Sequence, residues 1–152
     1  MTRVLVLIGS DSDREYFEGA DQWAAHFGFE LGIEVISAHR DGARLRERLS
    51  RLESEGTEVI VAGAGMAAHL AGVCAAETNL PVIGVPLPGS SLGGLDALLS
   101  TVQMPSGVPV ATVAIGKAGA KNAVVLAARI LALKDKTISE ALRKFKARGF
   151  RL

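Results

Sequence analysis

Cysteine is almost missing from this sequence: Cys74 stands alone among 152 residues. No internal disulfide and no cysteine-built metal cluster is possible, and Cys74, set in an apolar helical stretch, is expected to be a small buried hydrophobe. Aromatic side chains are scarce at 5%, glycine is abundant at 17, and nearly half the residues are apolar. That mix suits a helix-covered parallel sheet with short glycine turns better than a β-sandwich. Net charge of one sign is also lacking, since the formal balance is only +1. That balance argues against a general nucleic-acid surface. The basic stretch Lys144-Phe145-Lys146-Ala147-Arg148 reads as a solvated helix end. No apolar run reaches membrane-spanning length, and the chain enters a strand almost at once. No membrane contact is expected, and the protein is expected to be cytoplasmic.

What is present alternates strand and helix over a chain of single-domain length. Arg3-Val4-Leu5-Val6-Leu7-Ile8 is a continuous apolar run, the mark of a strand covered on both faces. It breaks at Gly9-Ser10-Asp11-Ser12-Asp13, and a helix is expected through about Phe27, capped by Asp11, Ser12 or Asp13. Leu31 to Ile36 forms a second strand, and Gly42 to about Glu55 a charged helix with Leu45, Leu49 and Leu52 on one face. The third strand, Glu58 to Ala62, runs into Gly63-Ala64-Gly65-Met66-Ala67-Ala68-His69-Leu70, read as a loop of small residues. A short fourth strand, Pro81 to Pro86, precedes a loop from Leu87 to Leu92 suited to closing over a site. A helix from Gly94 to about Val102, a fifth strand within Val108 to Ile115, an alanine-rich helix to about Leu133 and a last helix from Ser139 to Arg148 complete the chain. Thr137 is the expected cap of that last helix.

Five such strands predict an α/β, flavodoxin-like three-layer sandwich: a central parallel sheet in the order 2-1-3-4-5, plus a C-terminal helix. In that order the ends of the first three strands are neighbours. Ser10 to Asp13, Ser37-Ala38-His39-Arg40 and Gly63 to Leu70 then meet at one crevice. Serine hydroxyls and a guanidinium can hold a phosphate, and an imidazole can move a proton near neutral pH. Two nucleotide signatures are absent: Gly-x-Gly-x-x-Gly does not occur, and Gly116-Lys117 lacks the spacing and following hydroxyl of a P-loop. His26, His39 and His69 show no metal-ligand spacing, so no metal site is expected.

Gly9-Ser10-x-Ser12-Asp13, Ser37-Ala38-His39-Arg40, Gly63-Ala64-Gly65 through Ala67-Ala68-His69-Leu70, and Gln103-Met104-Pro105 with Gly107-x-Pro109-Val110 occur in that order. This ordered set covers nearly the whole chain and resembles the PurE family, in particular its class I N5-carboxyaminoimidazole ribonucleotide mutases of purine biosynthesis. The resemblance implies an isomerase that moves a carboxyl group from N5 to C4 of an aminoimidazole ribonucleotide, without metal or organic cofactor. By it His39 is the general acid/base. Ser10, Ser12, Ser37 and Arg40, beside Ala38, hold the 5′-phosphate, and Asp13 the ribose hydroxyls. Gly63, Ala64, Gly65, His69 and Leu70 surround the CO2 pocket. A homo-octamer with sites at subunit contacts is also implied, with the alanine-rich helix from Asn122 as a contact.

The sequence departs from that pattern at Asp41-Gly42, where the family has Thr-Pro, at Met66, where it has glycine, and at Ala71, where it has proline. Asp41 is expected either to weaken the hold of Arg40 on phosphate or, the favoured reading, to cap the next helix, and Met66 to narrow or reshape the CO2 pocket. Arg40 and His69 favour the mutase over the class II form, which carboxylates aminoimidazole ribonucleotide directly with CO2. A paralogue acting on another phosphoribosyl compound and a nucleotide-binding module without catalysis are the remaining alternatives.

Overall fold

A computed structural model describes residues 3–152. β1 (Val4–Ile8) is an interior strand of the sheet with every residue buried. β2 (Leu31–Val35) and β3 (Val59–Gly65) pair with it in parallel on either side, Val6 standing opposite Ile33 and Val61. β4 (Val82–Leu87) and β5 (Ala111–Thr112) extend the sheet beyond β3, giving the expected order β2-β1-β3-β4-β5. Strand side chains alternate between faces, which divides the core in two. Val4, Val6, Ile8, Val59 and Val61 pack on one side with α1 (Ala20–Phe27), α5 (Lys117–Leu131) and α6 (Lys136–Ala147). Leu5, Leu7, Ile60 and Ala62 pack on the other with α2 (Gly42–Leu52) and α3 (Leu70–Glu77). Leu45, Leu49 and Leu52 make the buried stripe of α2 as the spacing predicts, each contributing about 1.5–3 kcal/mol by leaving water. Cys74 is fully buried on this side, and desolvation pushes its thiol up to about 12, which makes it an inert packing group.

Five expectations are corrected. The helix expected from the first loop to Phe27 is two pieces, a 3-10 helix (Asp11–Phe17) and α1. They are separated where Glu18 is extended and Gly19 turns left-handed at φ 78°, a conformation cheap only for glycine. The cap of the first piece is Ser10, with Asp13 three residues on accepting the Ser10 N–H at 3.0 Å. Gly63, Ala64 and Gly65 belong to β3 and pair with Val85, Pro86 and Leu87 of β4, because a backbone ladder needs no side chains. The cap of α6 is Asp135 rather than Thr137, its carboxylate accepting the Thr137 and Ile138 N–H groups. The alanine face of α5 (Ala120, Ala123, Ala127, Ala128) is spent inside the chain's own core. The exposed apolar stripe lies instead on α4 (Leu95–Val102).

The end of the sheet opposite the crevice is fastened by Arg3, which donates to Glu58 and to Asp135, both at 2.7 Å, while Lys134 also pairs with Glu58. This ties the starts of β1 and β3 to the cap of α6. The basic tail, apart from buried Phe145, is solvated as expected. His26 lies half-buried and edge-on to Phe27 and Phe145, within an aromatic cluster.

Candidate active site

The C-terminal ends of β1, β2 and β3 open onto a cavity of about 800 Å³, a usual size for a small-molecule site. Three segments far apart in the chain line it. The first is Gly9, Ser10, Ser12 and Asp13, where the end of β1 turns into the 3-10 helix. The hydroxyls of Ser10 and Ser12 lie 3.0 Å apart, two neutral groups side by side able to grip one anion. Asp13 is held by the Ser10 and Gly9 N–H groups, yet partial burial wins and raises its carboxyl above the ordinary aspartate value.

The second segment is Val35 to Asp41, with Arg44 one turn into α2. Ser37 shapes it: its hydroxyl accepts the Arg40 N–H at 3.2 Å and its carbonyl the Asp41 N–H at 2.9 Å. This tight turn sets His39 and Arg40 on the exposed rim. Among the described residues Arg40 has no carboxylate partner, so its charge is available to a ligand. Asp41 occupies the N-cap position of α2, but its side chain caps nothing. It points to Arg44 instead, 3.7 Å away.

The third segment is Ala64 to Leu70. His69 occupies the N-cap position of α3 without a side-chain cap bond, and its ring stacks on His39 with centroids 5.0 Å apart and planes 9° from parallel. A flat aromatic partner fixes the plane of the His39 ring and leaves its edge nitrogens free to exchange protons. Gly89, from the loop after β4, closes the outline. That loop is braced, since the Ser90 hydroxyl donates to Asp96 at 2.8 Å and accepts the Leu92 N–H at 3.1 Å.

Eleven of the twelve residues expected at the site border this cavity: His39, Ser10, Ser12, Asp13, Ser37, Ala38, Arg40, Ala64, Gly65, His69 and Leu70. Gly63 does not. It sits one step back in β3, where its missing side chain leaves room for the ring of Phe17. Arg44 is a lining residue that the sequence did not single out, whereas Gly89 belongs to the Leu87 to Leu92 loop expected to close over a site. Arg44 carried a signal in hindsight, four residues after Arg40 at the start of a helix. Among the described residues no three His, Cys, Asp or Glu side chains gather as a metal site, and no helix is long and apolar enough to cross a membrane.

A doubly wound parallel sheet with a polar, anion-ready crevice where its strand order reverses defines a binder of phosphorylated small molecules. The particular lineage follows from comparison. Residues 3–150 match the AIR carboxylase family, and the chain belongs to it. It is 52% identical over 145 residues to the N5-carboxyaminoimidazole ribonucleotide mutase of Saccharolobus solfataricus, spanning 95% of this chain and 90% of that one. The mutase of the same name from Escherichia coli is 46% identical over 95% of this chain and 85% of its own. The crystal structure of Treponema denticola PurE superposes with a TM-score of 0.86 at 31% identity, covering 96% of this chain and 90% of that one.

Proposed function

We propose that this chain is an N5-carboxyaminoimidazole ribonucleotide mutase of purine biosynthesis, using His39 as its general acid/base. One observation carries the reading: a ring-stacked, solvent-open imidazole shares a cavity with an unpaired guanidinium and a pair of serine hydroxyls. The family and the names of its relatives supply the reaction. The N5 carbamate breaks its N–C bond to give CO2, and the nitrogen takes a proton from His39. C4 of the electron-rich aminoimidazole then attacks the CO2 before it leaves. His39 removes the C4 proton, restoring the aromatic ring and its own starting charge. One imidazole suffices because it both donates and accepts near neutral pH.

Arg40, Ser10, Ser12 and Ser37 grip the 5′-phosphate, with the free N–H groups at the helix starts adding to its stabilisation. Asp13 accepts from the ribose hydroxyls. Ala64 and Gly65 form a close wall around the CO2, with Leu70 and His69 beside them. No metal or organic cofactor enters this scheme.

The working form is assigned as a homo-octamer in the cytoplasm, formed from single-domain chains. Leu95, Leu99 and Val102 stand 55%, 52% and 47% exposed along one face of α4, with Leu92 just before it. Such a stripe at helical spacing is better covered than solvated. Sedimentation at the mass of eight chains supports this, and a monomer contradicts it.

The test of function is purified protein with N5-carboxyaminoimidazole ribonucleotide, and separately with aminoimidazole ribonucleotide plus bicarbonate. Formation of the C4-carboxylated product in the first reaction is expected. Product only in the second would make the enzyme a direct carboxylase, and product in neither would leave a binding module.

A further inference from the structure

Arg44 is placed against the preferences of its own helix. It stands in the first turn of α2, where free N–H groups already give the helix end a partial positive charge. No acidic residue in that turn offsets the added cation. The other arginines of α2 are committed to the fold. Arg46 donates to Glu77 at 3.1 Å, Arg48 to Glu34 at 2.9 Å and to Glu55 at 2.7 Å, and Arg51 pairs with Glu47. Among the described residues, Arg44 alone of the α2 arginines has a guanidinium without a hydrogen bond. Its ion pair with Asp41 spans 3.7 Å, and the two side chains are 62% and 47% exposed, a contact worth little to stability. Asp41 is equally uncommitted, standing at the N-cap of α2 without a side-chain cap bond. Both residues line the cavity beside Arg40.

We propose that Arg44 is a second guanidinium for the substrate's phosphate, and that Asp41 holds it until a dianionic phosphate takes the carboxylate's place. The proposal rests on the reading that this crevice receives a 5′-phosphate. A phosphate monoester carries a charge of about −1.5 to −2 near neutral pH and offers three acceptor oxygens. Arg40 balances one charge at most. Arg44, four residues on and lining the same cavity, supplies the second, and an anion there also relieves the clash between its charge and the helix end. Asp41 sets the threshold. A dianion outbids one carboxylate held at 3.7 Å, whereas an uncharged riboside leaves the pair as it is. The restraint costs some affinity and adds discrimination in favour of doubly charged ligands. The family has threonine where this chain has Asp41, so the restraint is a property of this chain.

The experiment is calorimetry on the full-length wild type, Arg44→Gln, Asp41→Asn and the double variant. Each is titrated with 4-carboxyaminoimidazole ribonucleotide and with the corresponding riboside, and its melting temperature is measured on the same preparation. In Arg44→Gln the ribonucleotide affinity is expected to fall about tenfold, the weak end of the range for a charged hydrogen bond, as suits an exposed site. Riboside affinity should hold. The melting temperature should stay at or above wild type, since a cation leaves the helix start. Asp41→Asn is expected to tighten the ribonucleotide severalfold, and that gain should shrink when Arg44 is also replaced. Unchanged ribonucleotide affinity in Arg44→Gln overturns the proposal, as does an equal loss for ribonucleotide and riboside. A marked fall in its melting temperature also overturns it, because Arg44 would then serve the fold. The restraint by Asp41 is overturned if Asp41→Asn gains as much without Arg44 as with it. A wild type that binds ribonucleotide no better than riboside would instead sink the phosphate reading of the crevice.

Discussion

Replacing Gly63 with alanine tests how the sheet positions the site. A Cβ at this position would lie 2.6 Å from Cε2 and 2.7 Å from Cζ of Phe17, and 3.4 Å from Cγ2 of Ile8. Carbon atoms sit comfortably at about 3.5 Å or more, so the Phe17 ring must retreat by about 1 Å. Phe17 is buried and ends the 3-10 helix that carries Ser12 and Asp13, so the retreat shifts those residues too. Overpacking of this kind costs about 1–3 kcal/mol. For a chain of this length each kcal/mol lowers the melting temperature by about 2–4 °C. A displacement of about 1 Å at a binding group can cost on the order of 100-fold in rate. Gly63→Ala is therefore expected to lower both the melting temperature and kcat/KM. Phe17→Leu removes the ring atoms that clash, so the double variant should lose less than the two single losses added together. A Gly63→Ala protein with wild-type melting and turnover, or strictly additive losses in the double variant, would refute the argument.

Arg40→Ala is expected to weaken phosphorylated ligands by about 1.5–3 kcal/mol, the range for a charged hydrogen bond. Calorimetry with the ribonucleotide and its dephosphorylated riboside checks this, and an equal loss for both contradicts the assignment. Asp13 and Asp135 titrate with opposite consequences. Partial burial raises the Asp13 carboxyl, so its ionisation opposes folding, and the penalty grows as pH rises through the raised value. Asp13→Asn should therefore melt at or above wild type at neutral pH while binding the ribonucleotide less tightly; a lower melting temperature contradicts this. The Arg3 hydrogen bond, with the Ile138 N–H, holds Asp135 below its ordinary value. Its stabilisation is complete above the unfolded value and is lost as pH falls through the folded one. Asp135→Asn should reduce the fall in melting temperature on acidification below about pH 4, the ordinary aspartate range. An unchanged acid profile would show that the Arg3 contact contributes nothing.

The strands were legible because both faces of the sheet are covered, which leaves continuous runs such as Val4 to Ile8. Strand order followed from the alternation of strand and helix, and it brought the three polar segments together. Local punctuation was harder to read. Glu18-Gly19 interrupts a helical pattern only because Gly19 turns left-handed, and composition does not reveal φ. Gly63 to Gly65 looked like a loop because the ladder to β4 is made by backbone alone. At both misassigned caps several hydroxyl or carboxylate residues stood side by side, and geometry selected Ser10 and Asp135. Arg44 was hidden among the many arginines of α2, where pattern does not separate a lining cation from a solvated one. The stacking of His39 on His69 joins residues thirty positions apart and follows only from the fold.

On the proposed mechanism His39 moves the proton at both ends of the carboxyl transfer while other groups hold the nucleotide. Turnover and calorimetric ribonucleotide binding measured on the same preparation of His39→Asn test it most directly. Turnover is expected to be lost while binding stays close to wild type. Turnover comparable to wild type in that variant would contradict it.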